Sequence, residues 1–314
     1  MRAVTIREHE LLVADHPDPA PGAGEVLVRV RAAGLNGADQ MQLRGHYPAP
    51  PGAPQDIPGL ELAGEVAELG PGATRFNTGD RVMGIVAGGG QAELAVVHER
   101  ILMAVPDNLS WPEAGGVPEV FTTAHDALFR QVGLQTGEHL LVHGGAGGVG
   151  TAAIQLARAA SVRITATVRN SKVRDQVAQL GAHVVEPTGF AAHGPFDVIL
   201  ELVGAPNLAE NVNSLATGGR ICVIGIGAGG QADIHLGALM GKRARIQGST
   251  LRPRPLEEKA LTARAMERSV LPLLAEGIVR VPVAATYPLA EAERAYDHFA
   301  GGGKLGKIVL LMDD

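Results

Sequence analysis

Apolar and polar positions follow two different rhythms along this chain. Near the N-terminus Val26, Val28 and Val30 alternate with Leu27, Arg29 and Arg31, the period of two that marks a strand with one buried face. Proline and glycine cluster at 17–24 and 48–59 and mark loops, and Thr78-Gly79-Asp80-Arg81 reads as a turn ahead of a strand at 82–86. Residues up to about 115 are therefore expected to be β-rich. From about 118 short apolar runs recur at 139–143, 162–168, 183–186, 197–202, 221–225 and 244–248, separated by mostly helical segments. Six such strands with short spacers fit a parallel, doubly wound sheet. A helical stretch runs from about 255 to Glu276, and short strands then lead to Lys307-Ile308-Val309-Leu310-Leu311, expected to rejoin the first domain. The reading is an α/β chain: 1–117 and 253–314 form one β-rich domain, and 118–252 is inserted in it. No internal repeat or low-complexity tract interrupts this pattern.

One junction in the pattern carries chemistry. The apolar run His139-Leu140-Leu141-Val142 leads into His143-Gly144-Gly145-Ala146-Gly147-Gly148-Val149-Gly150, and a helical pattern starts at Thr151. Strand, glycine turn and helix give the G-x-G-x-x-G spacing of Gly145, Gly147 and Gly150 its meaning. Glycine permits a tight turn, close backbone approach to a pyrophosphate, and close helix–strand packing. The free N–H groups and dipole of the helix N-terminus favour the anion. In a chain with 42 glycines a plain turn is the alternative.

In such folds an acidic residue about 20 positions after the glycines reads the ribose of NAD, while a nearby arginine accommodates the 2′-phosphate of NADP. Here the second strand ends in Arg169-Asn170-Ser171-Lys172, and no acid occurs until Asp175. Arg169, Asn170, Lys172 and Arg174 are the candidates for cradling a 2′-phosphate, so NADPH is the expected cofactor; a solvated basic turn is the alternative.

Composition narrows the remaining classes. A 46% hydrophobic content supplies a core, and 19% charged residues argue against intrinsic disorder. The net charge of −6, the absence of a Lys/Arg block and the 3% aromatic content speak against nucleic-acid binding. The single cysteine, Cys222, excludes an intrachain disulfide and lies in an apolar run, where a buried, inert thiol is expected. The first ten residues lack the apolar core of a signal peptide, and no run reaches the length of a membrane span, so a cytoplasmic location is expected.

Longer stretches point to a family. Gly34-Leu-Asn36-Gly-Ala-Asp39, Gly45-His-Tyr47-Pro-Ala-Pro-Pro51, Gly59-Leu-Glu-Leu-Ala-Gly64, Gly79-Asp80-Arg81-Val82, Pro118-Glu-Val-Phe-Thr-Thr123-Ala and Gly306-Lys307-Ile-Val-Leu310 span nearly the whole chain. They resemble the zinc-independent quinone oxidoreductases of the medium-chain dehydrogenase/reductase superfamily, most of all the stress-inducible branch. The resemblance implies a GroES-like β-rich catalytic domain with an inserted Rossmann domain, an active site in the cleft between them, NADPH, and a homodimer. Zinc members of the superfamily carry Gly-His-Glu where this chain has Gly59-Leu60-Glu61, a Cys at the position matched by Asn36, and a further ligand near Glu119. Leucine cannot bind a metal, so no zinc is expected.

A metal-free site needs another way to meet developing negative charge on oxygen. The resemblance makes Tyr47 a substrate-binding residue or proton donor; the alternative is a loop tyrosine with its ring packed and its hydroxyl in water. Asn36, at the lost ligand position, is assigned either to the substrate carbonyl or to the nicotinamide amide, the alternative being a turn-stabilising role. Thr123 and the backbone of Gly225, Ile226 and Gly227 are expected on the nicotinamide side, while Asp39 and Asp80 read as structural. Lys304 and Lys307, near the C-terminus, are candidates to approach the cofactor, but exposed lysines are the default reading. Family members often place a tyrosine after the third strand, where this chain has Val185-Glu186-Pro187, and the following helix is cut short between Thr188 and Pro195; a changed adenosine pocket and dual NADPH/NADH use follow as an option. The leading expectation is NADPH-dependent reduction of quinones or related enones. A 2-enoyl thioester reductase and a non-catalytic NADPH-binding module are the alternatives.

Overall fold

The computed structural model describes residues 1–312 and opens with an antiparallel hairpin, β1 (Arg2–Arg7) and β2 (Glu10–Asp15). The alternation at 26–30 becomes β3 (Glu25–Gly34), with Val26, Val28 and Val30 buried and Arg29 exposed. Around β3 gather β4 (Glu61–Leu69), β5 (Arg81–Ile85), β6 (Leu94–His98) and β7 (Leu102–Ala104). Val28, Val30, Leu62, Val82 and Leu102 fill one core beneath them.

The α/β part contains β8 (His139–Val142), β9 (Arg163–Thr167), β10 (His183–Val185), β11 (Phe196–Glu201), β12 (Leu215–Val223) and β13 (Arg245–Gly248). All six are parallel, in the order β10-β9-β8-β11-β12-β13. That order is two halves wound outward from β8 and β11, the doubly wound arrangement whose ligands lie at the carboxyl edge of the switch point. Every residue of β8 is buried, which explains its unbroken apolar run: a parallel strand covered on both faces needs no polar alternation. The connection after β10 is a single 3-10 turn, Phe190–His193, in place of a full helix.

The chain then forms helices Leu256–Ser269 and Leu271–Ala275, β14 (Val283–Pro288) and β15 (Lys307–Leu311). β15 pairs antiparallel with β3, Val309 facing Gly34, and parallel with β14, completing a seven-stranded sheet. Two compact units result. One comprises Met1–Thr122, Leu251–Gly302 and the chain from Lys307; the other comprises Thr123–Thr250 and the four residues Gly303–Gly306. That last return was not legible in the sequence: Gly306 N–H donates to Ala146 O (2.9 Å), and Gly306 bridges to Gly147.

Candidate functional site

The glycine turn is built as its spacing requires. Gly144 takes a positive φ of 70°, and the Gly145 N–H is tied to Thr167 O of β9 (3.0 Å). A Cβ on Gly145 would sit 2.9 Å from the Ala166 Cβ, and one on Gly150 only 2.4 Å from Gly144 O. These two glycines therefore let the turn, β9 and the helix Gly148–Ala159 pack closely. Gly147 differs: its φ and ψ of −74° and 167° suit any residue, and its nearest neighbour, Gly144 O, is 3.5 Å away. The room there is open to an approaching ligand. Gly147 is also the N-cap of the helix and makes no side-chain cap bond, so the first N–H groups of the helix are not met by a capping side chain. A pyrophosphate fits this cradle.

Behind the turn lies a buried relay that the sequence reading missed. The Glu201 carboxylate, at the end of β11, accepts from the N–H groups of Val203 (2.7 Å) and Gly204 (2.8 Å) and from the amides of Asn207 and Asn211. Because Asn211 spends its N–H on Glu201, its Oδ1 must accept from His143 Nε2 (2.8 Å). His143 Nδ1 then accepts from the Thr167 hydroxyl (3.1 Å), whose oxygen takes the Gly144 N–H (3.3 Å). Burial lowers the His143 pKa and keeps the ring neutral, as the relay needs. The chain of polarity thus runs from a fixed carboxylate to the backbone of the glycine turn.

At the end of β9 the four candidate residues separate into two pairs. Asn170 Nδ2 donates to Gly303 O (2.8 Å), and its Oδ1 accepts from Lys172 N. Arg174 holds Val168 O (3.0 Å) and Glu186 Oε1 (2.9 Å). Arg169 and Lys172 are exposed, with no such engagement among the described residues. Gly225 is fixed by its N–H to Glu201 O (3.1 Å), and a Cβ there would lie 2.3 Å from Leu202 O; Ile226 next to it is 48% exposed and Gly227 is exposed. Cys222 is buried, and its thiol is pushed up to about 11 by that burial.

The other unit holds a second polar cluster. Lys307, read as an exposed lysine by default, is 2% exposed: a correction. Its ammonium donates to Glu61 Oε1 (2.5 Å), Leu35 O (2.7 Å) and Asn36 Oδ1 (2.8 Å), which uses all three protons. An ammonium can only donate, so the Asn36 oxygen must face it, and the amide nitrogen turns to Glu61 Oε1 (2.9 Å) and Gly34 O (3.2 Å). Asn36 is thereby left with no N–H to spare. Glu61 Oε2 accepts from Glu119 N (2.8 Å). Gly34 makes room, since a Cβ there would lie 2.4 Å from Glu61 Oε1. Beside this pair Asp39 is buried and accepts from Asn36 N (2.8 Å) and Gly59 N (3.2 Å), the structural role expected of it. Burial raises its pKa to about 6, with Glu61 adding to the rise. Asp80 likewise accepts from Asn77 N (2.8 Å) in its turn. Tyr47 is half-buried on its loop, and Thr123 is buried in the helix Pro118–His125.

A zinc ion does not fit these donors. Leu60 has none, Asn36 is spent on Lys307 and Glu61, and Glu61 already faces an ammonium. Among the described residues no group of three or more His, Cys, Asp or Glu is arranged to hold a metal. Among the described residues no helix is long and apolar enough to cross a membrane.

Comparison with known proteins agrees with this architecture. Residues 22–107 match the alcohol dehydrogenase GroES-like domain, and residues 148–267 match the zinc-binding dehydrogenase family model. A quinone oxidoreductase of Rattus norvegicus is 31% identical over 96% of this chain and 93% of its own length. An acryloyl-coenzyme A reductase of Metallosphaera sedula is 30% identical over 99% of each chain. The crystal structure of a mycobacterial protein complexed with NADPH superposes with a TM-score of 0.89 at 27% identity, covering 99% of this chain and 100% of that one. With its fold, its open phosphate turn and relatives of this length and identity, the chain belongs to the quinone oxidoreductase family of the medium-chain dehydrogenase/reductase superfamily, and is a pyridine-nucleotide-dependent oxidoreductase acting on small molecules.

Proposed function

We propose that this protein is a zinc-free, NADPH-dependent reductase of quinones and related conjugated carbonyls, working in the cytoplasm as a homodimer. The observation that carries the cofactor choice is the acid-free turn after β9, where Arg169 and Lys172 stand exposed while Asn170 and Arg174 brace it. Charge-assisted hydrogen bonds contribute about 1.5–3 kcal/mol each, so one such bond to a 2′-phosphate amounts to roughly a 10- to 100-fold preference. Gly145 to Gly150 would hold the pyrophosphate on backbone N–H groups, and Thr123 with Gly225, Ile226 and Gly227 would border the nicotinamide.

The bound nicotinamide supplies the hydride. The protein's part is to orient the acceptor and answer the charge that grows on its oxygen. Tyr47 supplies the hydroxyl donor for that oxygen. Asn36, with both N–H groups spent and its oxygen held by Lys307, has no donor left for a substrate carbonyl. The Lys307–Glu61 pair holds the Asn36 amide in place. The acryloyl-coenzyme A reductase similarity favours a second reading, reduction of a 2-enoyl thioester with Tyr47 beside the substrate oxygen.

Side-by-side turnover of benzoquinones and crotonyl thioesters with NADPH and NADH tests both readings. Quinone turnover with NADPH preferred is expected. Thioester turnover alone moves the assignment to the second reading, and no turnover on either rejects both. Arg169→Ala is expected to raise KM for NADPH about 10-fold or more while leaving NADH unchanged; equal effects on both would refute the 2′-phosphate role. Metal analysis of the purified protein at one zinc per chain would refute zinc independence.

A further inference from the structure

Tyr47 sits in a proline-rich loop with few backbone donors. Pro48, Pro50, Pro51 and Pro54 have no backbone N–H, so the segment forms no ladder of its own. Pro50 O is met within the segment by Ala53 N–H (3.2 Å), but Tyr47 O and Pro48 O take a donor from elsewhere in the chain. The donor is Arg252, more than 200 positions away in sequence and 4% exposed. Its Nη1 donates to Tyr47 O (2.9 Å), its Nη2 to Gln42 Oε1 (2.7 Å) and its Nε to Ala87 O (2.7 Å). Gln42 carries the grip onward through Nε2 to Gln55 O (3.3 Å), and Gln55 Nε2 reaches back to Pro50 O and Ala53 O. The guanidinium carbon also lies 5.1 Å from the centre of the Tyr47 ring.

This is an unusual use of a buried cation. Its hydrogen-bond partners are all neutral; burial lowers its pKa, and Tyr47 and then the more distant acids Asp39 and Glu119 offset that. A buried ion pair would be the ordinary way to hold such a charge. A planar fork of five N–H groups can reach carbonyls on three segments at once, which a lysine cannot.

We propose that Arg252 is the positioning residue of the Tyr47 hydroxyl, fixing its place by gripping the loop at Gln42, Tyr47 and Pro48 while stacking on the ring. The proposal rests on the reading that Tyr47 meets the substrate oxygen. A misplacement of about 1 Å costs on the order of 100-fold in rate.

The test uses the full chain with NADPH bound and the variants Arg252→Met, Arg252→Lys, Tyr47→Phe and Arg252→Lys/Tyr47→Phe. Arg252→Met and Arg252→Lys are both expected to lower kcat about 10- to 100-fold, with NADPH affinity unchanged. Lysine keeps the charge but not the fork, so recovery of wild-type kcat in Arg252→Lys would overturn positioning. The double variant should be no slower than Tyr47→Phe alone; additive losses would overturn the link between the two residues. Independently of activity, hydrogen exchange of the amides in 44–55 should quicken in Arg252→Lys and not in Tyr47→Phe, and unchanged exchange would overturn the grip. Should Arg252→Met fail to fold, the lysine variant decides alone. Faster exchange alongside a wild type that reduces nothing would reject the reductase reading and keep the grip; unchanged exchange with an active wild type would do the reverse.

Discussion

At the scale of single residues, the buried cluster around Glu61 is governed by charge bookkeeping. Two carboxylates, Asp39 and Glu61, share one ammonium, Lys307, in a site where none of the three is more than 2% exposed. Glu61 takes the direct ion pair, so Asp39 carries the burial cost and its pKa rises from 3.8 to about 6. A carboxyl whose pKa is higher in the folded than in the unfolded chain binds more protons when folded between those two values. Stability from this group therefore falls as pH rises through about 4 to 6, by about 3 kcal/mol in total, and is flat above that window. Asp39→Asn removes the titration while keeping one oxygen for a backbone N–H. The expected outcome is that the wild type gains stability on the variant as the pH is lowered from 7 to 4, read as diverging midpoints of urea unfolding. Parallel curves across that range would show that burial leaves the Asp39 pKa at its unfolded value. Breaking the neighbouring pair is a different matter, because Lys307→Met would strand a buried carboxylate at about 3–5 kcal/mol.

At the scale of elements, the glycine turn and its helix divide their labour between packing and binding. A Cβ on Gly150 would lie 2.4 Å from Gly144 O, so a methyl group there must push the turn off the helix. Gly147 has ordinary φ, and a Cβ there would meet nothing nearer than Gly144 O at 3.5 Å, so on the proposed reading a methyl group there would crowd the pyrophosphate alone. Gly150→Ala is expected to lower both Tm and NADPH affinity, while Gly147→Ala lowers affinity about 10-fold or more with Tm of the free protein nearly unchanged. Fluorescence titration with NADPH and thermal unfolding read the two effects; unchanged affinity in Gly147→Ala would mean the helix N-terminus does not receive the pyrophosphate. These elements were legible from the chain because their signals are local. An apolar run, a glycine turn and a periodic helix follow one another within twenty residues, and the strands expected at 139–143 and 183–186 emerge within one residue of those bounds. β12 was expected only at 221–225, and it starts earlier, at Leu215, because Gly218 and Gly219 interrupt the apolar run ahead of Ile221. The contacts that join elements were not legible. Lys307 meets Glu61 across 246 positions and His143 meets Asn211 across 68, and nothing near Lys307 in sequence distinguishes it from a surface lysine. Arg252 escaped notice for the same reason.

At the scale of the whole molecule, the chain's path makes a distant prediction. Gly303–Gly306 belongs to the nucleotide-binding unit although the residues on both sides of it belong to the other. It is pinned at two points, by Asn170 to Gly303 O and by Gly306 N–H to Ala146 O. Those anchors are the ribose-reading turn and the phosphate turn, the two places where NADPH is proposed to bind. A ligand that orders both turns must also order the short segment hung between them, because its hydrogen bonds open only when one of the anchors moves. At 100 times its dissociation constant a ligand adds about 2.7 kcal/mol to the stability of the state it binds. Hydrogen exchange at Gly303 to Gly306 should then slow about 100-fold on saturation with NADPH, if opening there exposes the nucleotide site. NADH at the same concentration should slow it less, in proportion to its weaker binding. Asn170→Ala frees one end of the segment, so protection should survive at Gly306 and weaken at Gly303. Protection confined to 144–150, with exchange at 303–306 untouched by saturating NADPH, would show that the returning segment only lies beside the site and takes no part in it.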